Sequence, residues 1–273
     1  MKLPERYNYA EAYLTFRCNL SCGYCINKIQ GLTRREELSA DEWIENLNNI
    51  DFGDTPLTLG GGEPTRHKEF YKIVSGLNHN LDLLTNLQFN VNEFIKNVDQ
   101  NKFTKSNNHY HSIRASYHAS QMNREKTIEN AVKLIDAGFN IGIFGVRHPY
   151  VLNENMEMAF LCSKNKIPFY EKDFLGEVDG RIYGFYKYPE GLDGKKKDVK
   201  CRTREFLIAP DGNIHRCHRD LYAGENPVGN IKTIDHIKDI FRKCSVFGEC
   251  NPCDLKLKTN KYLKGIECQV EIK

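Results

Sequence analysis

The 273-residue chain has one tryptophan, four methionines and no apolar run long enough to cross a bilayer. Its start, Met-Lys-Leu-Pro-Glu-Arg, lacks the apolar core of a secretory signal. These two absences predict a cytoplasmic protein with no membrane partner. A large charge of one sign is also missing. A net charge of +3 is too small for the footprint of a nucleic-acid or anionic-membrane binder. The run Lys195-Lys196-Lys197 follows Gly191 and Gly194 and reads as a solvated loop. Repeats and low-complexity tracts are absent. With 40% hydrophobic and 27% charged residues, the composition is that of a globular chain, which excludes intrinsic disorder as the default.

Cysteine is abundant, with ten in the chain. A reducing compartment disfavours disulfides, so clustered thiols there read as metal ligands or catalysts.

The first two-thirds alternate between strand and helix patterns. Tyr13 to Phe16, Leu57 to Leu59, Leu81 to Thr85, Ser112 to Tyr117, Ile141 to Val146 and Ile167 to Tyr170 read as strands. Between them, Ser39-Ala40-Asp41-Glu42 forms a capping box that opens an amphipathic helix through Trp43, Ile44, Leu47 and Ile50. Phe70 to Leu77 and Val91 to Val98 have helical spacing. Asn123 to Asp136 is predicted helical with Ile128, Ala131, Val132 and Ile135 on one face and Gly138 as its stop. Met156 to Lys164 is the last helix of this series, and Cys162 on it reads as a small core residue. Six such units imply a parallel sheet with helices outside, because parallel strands need crossovers. The expected fold is α/β, a partial (β/α)6 TIM-like barrel. Such barrels carry their chemistry at strand C-termini.

The pattern changes near residue 175. Phe174 to Lys200 reads as a linker or substrate-covering loop. Phe206 to Cys217 reads as a β-hairpin on an Asp211-Gly212 turn. A helix is expected from Ile234 to Lys243. The expected division is therefore 1–175 core, 176–200 linker and 201–273 a small C-terminal domain.

Cys18, Cys22 and Cys25 form a C-x3-C-x2-C array after the first strand. Three thiolates within eight residues wrap one corner of a four-iron cubane and leave one iron open for a ligand. A zinc loop with a distant fourth ligand remains the alternative from spacing alone. The array resembles the signature of the radical S-adenosylmethionine (SAM) superfamily, down to the aromatic Tyr24 before the third cysteine. That resemblance implies a [4Fe-4S] cluster whose open iron chelates the methionine moiety of SAM. It implies reductive cleavage of SAM to a 5′-deoxyadenosyl radical, which takes a hydrogen atom from the substrate. It also implies a flavodoxin- or ferredoxin-type electron donor. Gly61-Gly62-Glu63-Pro64, after strand two, resembles the family's GGEP motif, which contacts the methionine amino group. Thr85-Asn86 resembles a family turn near the cofactor, with Leu87 in place of the usual glycine. Ser116 stands where relatives often carry a serine to the cofactor, and His118 where an aspartate is common. For Asn86 and Ser116 a plain strand-end polar residue is an equal alternative.

Cys201, Cys217, Cys250 and Cys253 suit a four-thiolate site, with zinc and iron–sulfur equally compatible with the spacing. The layout C-x10-G-x4-C, gap, C-x2-C resembles the twitch domain, a shortened SPASM domain. That implies one auxiliary [4Fe-4S] cluster. Cys268 or Cys244 as a ligand is the competing assignment. His215 and His218 bracket Cys217 and are candidates for hydrogen bonds near that cluster, whereas His109, His111 and His148 read as ordinary polar residues.

The leading expectation is a dehydrogenase-like radical SAM oxidoreductase acting on a small metabolite. The chain begins only a dozen residues before its first strand, which argues against a peptide-clamping domain there. A maturase of a ribosomal peptide is the alternative, and a zinc or iron–sulfur scaffold is the non-enzymatic one. The base that an alcohol oxidation would need is not assignable from the sequence; Glu171, Lys172 and Arg147, near the ends of strands six and five, are candidates.

Overall fold

The computed structural model describes residues 1–25, 35–103, 111–184, 186, 188–248 and 270–273. Its main element is a nine-stranded sheet flanked by helices. In chain order the parallel part comprises β1 (Tyr9–Thr15), α1 (Ala40–Asn48), β2 (Leu57–Gly61), α2 (Phe70–Gly76), β3 (Leu81–Thr85), α3 (Val91–Asn97), β4 (Ile113–Tyr117), α4 (Arg124–Asp136), β5 (Ile141–Arg147), α5 (Leu152–Lys164) and β6 (Phe169–Asp173). These six strands pair in sequence order, each parallel to the next.

The expected α/β partial barrel is thus present, and its local signals are visible. The Ser39 side chain caps α1 by accepting from the Glu42 N–H, and Glu42 reaches back to the Ser39 N–H at 2.9 Å. Asn123 caps α4 in the same way, accepting from the Lys126 N–H at 2.7 Å. The buried face of α4 differs from the expected one. Thr127, Ile128, Ala131 and Leu134 point inward, while Ile135 is 36% exposed. The closing turn explains this. Phe139 N–H donates to the Leu134 carbonyl and Gly138 N–H to that of Ile135, with Gly138 at φ +87°. That Schellman ending brings Leu134 and Phe139 into one apolar cluster.

The core lies between the sheet and the helices. Ala10, Ala12 and Leu14 of β1 face outward into it, beside Trp43, Leu47, Leu57, Leu59, Ile73 and Leu81, none of them accessible. Each large apolar side chain so buried contributes about 1.5–3 kcal/mol. Cys162 also lies there, fully buried, as its pattern predicted, with its thiol pushed up to about 12 by burial.

The C-terminal part departs further from expectation. The hairpin on Gly212 forms, from β10 (Glu205–Ile208) and β11 (Asn213–His215). It does not stand apart: β10 pairs parallel with β1, so the sheet order runs β12-β11-β10-β1-β2-β3-β4-β5-β6, where β12 is Gly229–Asn230. The expected helix from Ile234 to Lys243 is absent. Its last residues instead begin β13 (Arg242–Phe247), which pairs antiparallel with β9 (Lys197–Thr203). Cross-strand pairing outweighs the helical spacing there. A short helix, α6 (His218–Ala223), follows the hairpin directly and ends on Gly224 at φ +75°. The segment read as a linker holds a small hairpin, β7 (Gly176–Val178) and β8 (Arg181–Tyr183), as well as the start of β9. The second sheet runs β13-β9-β14, with β14 at Val270–Ile272. An ion-pair seam borders it: Glu271 meets Arg6 at 2.5 Å and Arg202 at 2.8 Å, and Asp239 meets Arg6 at 3.5 Å. Among the described residues, no helix is long and apolar enough to cross a membrane.

Candidate active site

Successive residues of a strand point to opposite faces. In β1 this sends Glu11, Tyr13 and Thr15 toward the barrel interior and delivers Cys18 to its C-terminal rim. A cavity of about 340 Å³ opens there. Cys18, Cys22, Cys25 and Tyr24 line it from the first loop, Gly61 and Gly62 from the end of β2, and Asn86 and Ser116 from the ends of β3 and β4. Motifs spread over a hundred positions therefore share one wall. Cys22 is buried and Cys18 exposed, and the Cys25 N–H donates to the Cys22 carbonyl at 3.2 Å, which turns the loop back on itself. The three thiols consequently face one space from a single tight loop. That donor set suits an iron–sulfur cubane with an open position.

The glycines have a structural cause. A Cβ on Gly61, at φ +140°, would fall 2.1 Å from the Thr15 carbonyl oxygen, and one on Gly62 would fall 2.4 Å from that of Arg17. Gly62 N–H donates to Thr15 O at 2.8 Å and Glu63 N–H to Arg17 O at 2.8 Å. The motif is thus bonded to the backbone that leads into the cysteines.

Glu63 does not line the cavity; it is buried behind the wall. It accepts from the Thr65 hydroxyl at 2.8 Å, the Thr85 hydroxyl at 2.9 Å and the Asn86 N–H at 2.8 Å. Burial raises its pKa above the usual carboxylate value, and these donors oppose the shift without cancelling it. Its carboxylate therefore ties β2 to β3 and sets the position of Asn86. The Asn86 amide in turn donates to Asn19 Oδ1 at 2.8 Å and to Cys18 Sγ at 3.8 Å. Leu87 adopts φ +57°, the conformation of the glycine that it replaces. Left-handed backbone costs a non-glycine residue about 1–2 kcal/mol. The fully buried Leu87 side chain offsets that cost.

Aromatic groups close one side. Tyr24 stacks on His148 at 5.3 Å between ring centres, meets Phe174 edge-on at 6.5 Å, and its hydroxyl lies 3.1 Å from His118 Nδ1. Burial lowers His118 to about 4 and raises the Tyr24 phenol, so a neutral imidazole faces a neutral phenol.

Sequence reasoning missed Glu11. It lines the cavity at its floor, accepts from the Tyr9 hydroxyl at 2.9 Å, and fits because residue 60 is glycine, where a Cβ would fall 2.4 Å from Glu11 Oε1. No sequence signal marked it, because Glu11 lies before the run Tyr13 to Phe16 that read as the first strand. His218 lies 3.8 Å from Glu11 and 3.3 Å from Glu205, and His215 contacts the Glu225 carbonyl and Arg35. Glu171, Lys172 and Arg147 are not part of the cavity lining; Arg147 pairs with Asp173, and the Lys172 ammonium sits over the Phe144 ring.

The second thiol set is partly visible. Cys201 and Cys244 are buried together on the second sheet, and Cys217 begins α6. Cys250, Cys253, Cys268 and His109 lie outside the described residues.

The sequence profile of the radical SAM superfamily matches residues 13–162, over half of the chain. The chain belongs to the radical SAM superfamily. This radical SAM membership implies a [4Fe-4S] cluster and SAM as cofactors. The chain is 39% identical over 77 residues to the PqqA peptide cyclase of Rhizobium meliloti, covering 28% of this chain and 20% of the cyclase. It is 35% identical over 75 residues to the PqqA peptide cyclase of Bradyrhizobium diazoefficiens, covering 27% and 20%. The aligned stretch thus spans a fifth of those relatives. Among solved structures, Streptococcus suis SuiB bound to precursor peptide SuiA superposes with a TM-score of 0.57 at 16% identity, covering 84% of this chain and 64% of SuiB. The anSMEcpe enzyme with bound AdoMet and Cp18Cys peptide superposes with a TM-score of 0.57 at 14% identity, covering 86% and 78%. At these identities the likeness is one of fold.

Proposed function

We propose that this chain is a cytoplasmic radical SAM maturase that modifies a ribosomally made peptide. The observation that carries the reaction class is the single cavity shared by Cys18, Cys22, Cys25, the Gly61-Gly62 turn, Asn86 and Ser116. Support for a peptide substrate comes from the relatives: the cyclases are named for a peptide, and two structural neighbours hold one. These likenesses favour the peptide reading over the small metabolite that the sequence put first.

When bound on Cys18, Cys22 and Cys25, the cluster supplies the electron that cleaves SAM, drawn from a flavodoxin- or ferredoxin-type donor. The chain's own residues prepare the place. Gly61 and Gly62 lock the end of β2 against the cysteine strand. Glu63 fixes Asn86, whose amide steadies Cys18. Tyr24, Phe16 and Leu20 give the cavity an apolar side that excludes water. Gly61, Gly62, Asn86, Ser116 and Tyr24 are the proposed SAM contacts, with Glu63 acting through Asn86. We read the outcome as a net two-electron oxidation. An auxiliary [4Fe-4S] cluster on Cys201, Cys217, Cys250 and Cys253 would supply the electron acceptor, and the twitch-like spacing supports it.

Anaerobic incubation with SAM and dithionite tests the class. 5′-Deoxyadenosine is expected, and none from Cys18→Ala. Incubation with short peptides encoded beside the gene, followed by mass spectrometry, tests the substrate. A loss of two mass units in such a peptide is expected. Turnover of SAM with no modified peptide, but with oxidation of a small alcohol, would return the reading to a metabolite dehydrogenase.

A further inference from the structure

The spacing of the C-terminal cysteines leaves Cys244 as a competing ligand, and the fold brings it to the second thiol set. β9 and β13 pair antiparallel with Cys201 opposite Arg242 and Val199 opposite Cys244. Arg242 and Cys244 are two apart on one strand, so Cys244 shares a face with Cys201 and is its diagonal neighbour. Both are buried, beside Phe247 and Val270.

Arg216 links this pair to Cys217. It precedes Cys217 in the chain, is 8% exposed, and donates to the carbonyl of Lys243, the residue before Cys244. Its Nε also donates to Asp220 at 2.9 Å, which anchors the guanidinium from the α6 side. Cys217 Sγ accepts from the Asp220 N–H at 3.5 Å. One arginine thus fastens the start of α6 to β13, and a thiol follows each attachment point.

Arg216, itself paired with Asp220, holds a buried cation where α6 meets β13.

We propose that Cys244 is a ligand of the auxiliary cluster, alongside Cys201 and Cys217 and in place of one cysteine of the Cys250-x2-Cys253 pair. This rests on the reading that an auxiliary cluster exists, and the test separates the two. In a Cys18→Ala, Cys22→Ala, Cys25→Ala background, only auxiliary iron remains, and about four irons per chain with a reduced-cubane EPR signal are expected. Adding Cys244→Ala should remove that iron or shift its g values. Cys244→Ser, which keeps an oxygen donor and the size of the side chain, should retain iron with an altered signal. Cys162→Ala, at another buried thiol, should change neither. Four irons and an identical spectrum in the Cys244→Ala and Cys244→Ser proteins would overturn the assignment while leaving the auxiliary cluster standing. A background protein without iron would overturn both.

Discussion

The two thiol sets of this chain sit in opposite surroundings. Cys18, Cys22 and Cys25 ring an open cavity on the rim of the nine-stranded sheet, above a large apolar core. Cys201 and Cys244 are enclosed in a three-stranded sheet whose border is a seam of ion pairs. Under the proposed function the contrast has a chemical reason. A metal centre that must bind an exchangeable cofactor needs an open position and a rigid wall; one that only relays electrons needs enclosure. The rigid wall is supported by packing, the enclosed site by a few strands and charges.

That contrast can be broken at several points. The largest effect is expected at the rim: replacing Cys18, Cys22 and Cys25 together by alanine should abolish 5′-deoxyadenosine formation while leaving the circular dichroism spectrum unchanged, because none of the three belongs to a helix or strand. Next comes the packing beneath it. Trp43 is fully buried, and Trp43→Ala should cost about 3–5 kcal/mol in urea denaturation.

A smaller effect is expected at Glu63. Glu63→Gln presents an amide to donors that need an acceptor, costing about 1–3 kcal/mol, and should weaken SAM binding in titrations. It also alters the pH profile. Burial holds the folded carboxyl above its ordinary 4.5, so the stability this group contributes is complete below that value and is lost as pH rises through the raised one. The glutamine protein should lack that loss.

The smallest belongs to the seam. Arg202, then Arg6, lower Glu271 to about 2. Its contribution is therefore present above pH 4.5, the ordinary value, and lost as pH falls through about 2. The pair is partly exposed, so Glu271→Gln should cost about 1 kcal/mol or less, and less again in high salt. A larger loss at the seam than at Trp43 would reverse the comparison.

Local chemistry made the parallel half readable. The Ser39 capping box, the Gly138 stop and the Leu81–Thr85 run each settle their element without help from distant residues. The cysteine array and the Gly61-Gly62 turn were readable for the same reason, since close backbone approach demands glycine wherever the chain lies. Glu11 was not assignable, because its role depends on which strands flank it, and Glu63, expected as a direct cofactor contact, lies buried behind the wall for the same reason. Ile234 to Lys243 carries helical spacing, yet its end was taken up by β9, a partner more than thirty residues away in the chain. The alignment of Leu134 with Phe139 likewise appears only once the turn between them is closed.

The position of β1 has a consequence for how the protein is made. The strand that leads to the catalytic thiols is interior, hydrogen-bonded on one side to β2 and on the other to β10 through pairs such as Tyr9 with Glu205. During synthesis its second edge stays unsatisfied until the ribosome has released residues 205–208. An unpaired strand edge invites association with other chains. A nascent chain halted before β10 is expected to aggregate or recruit chaperones, and iron loading at the rim should follow, rather than precede, arrival of that late strand.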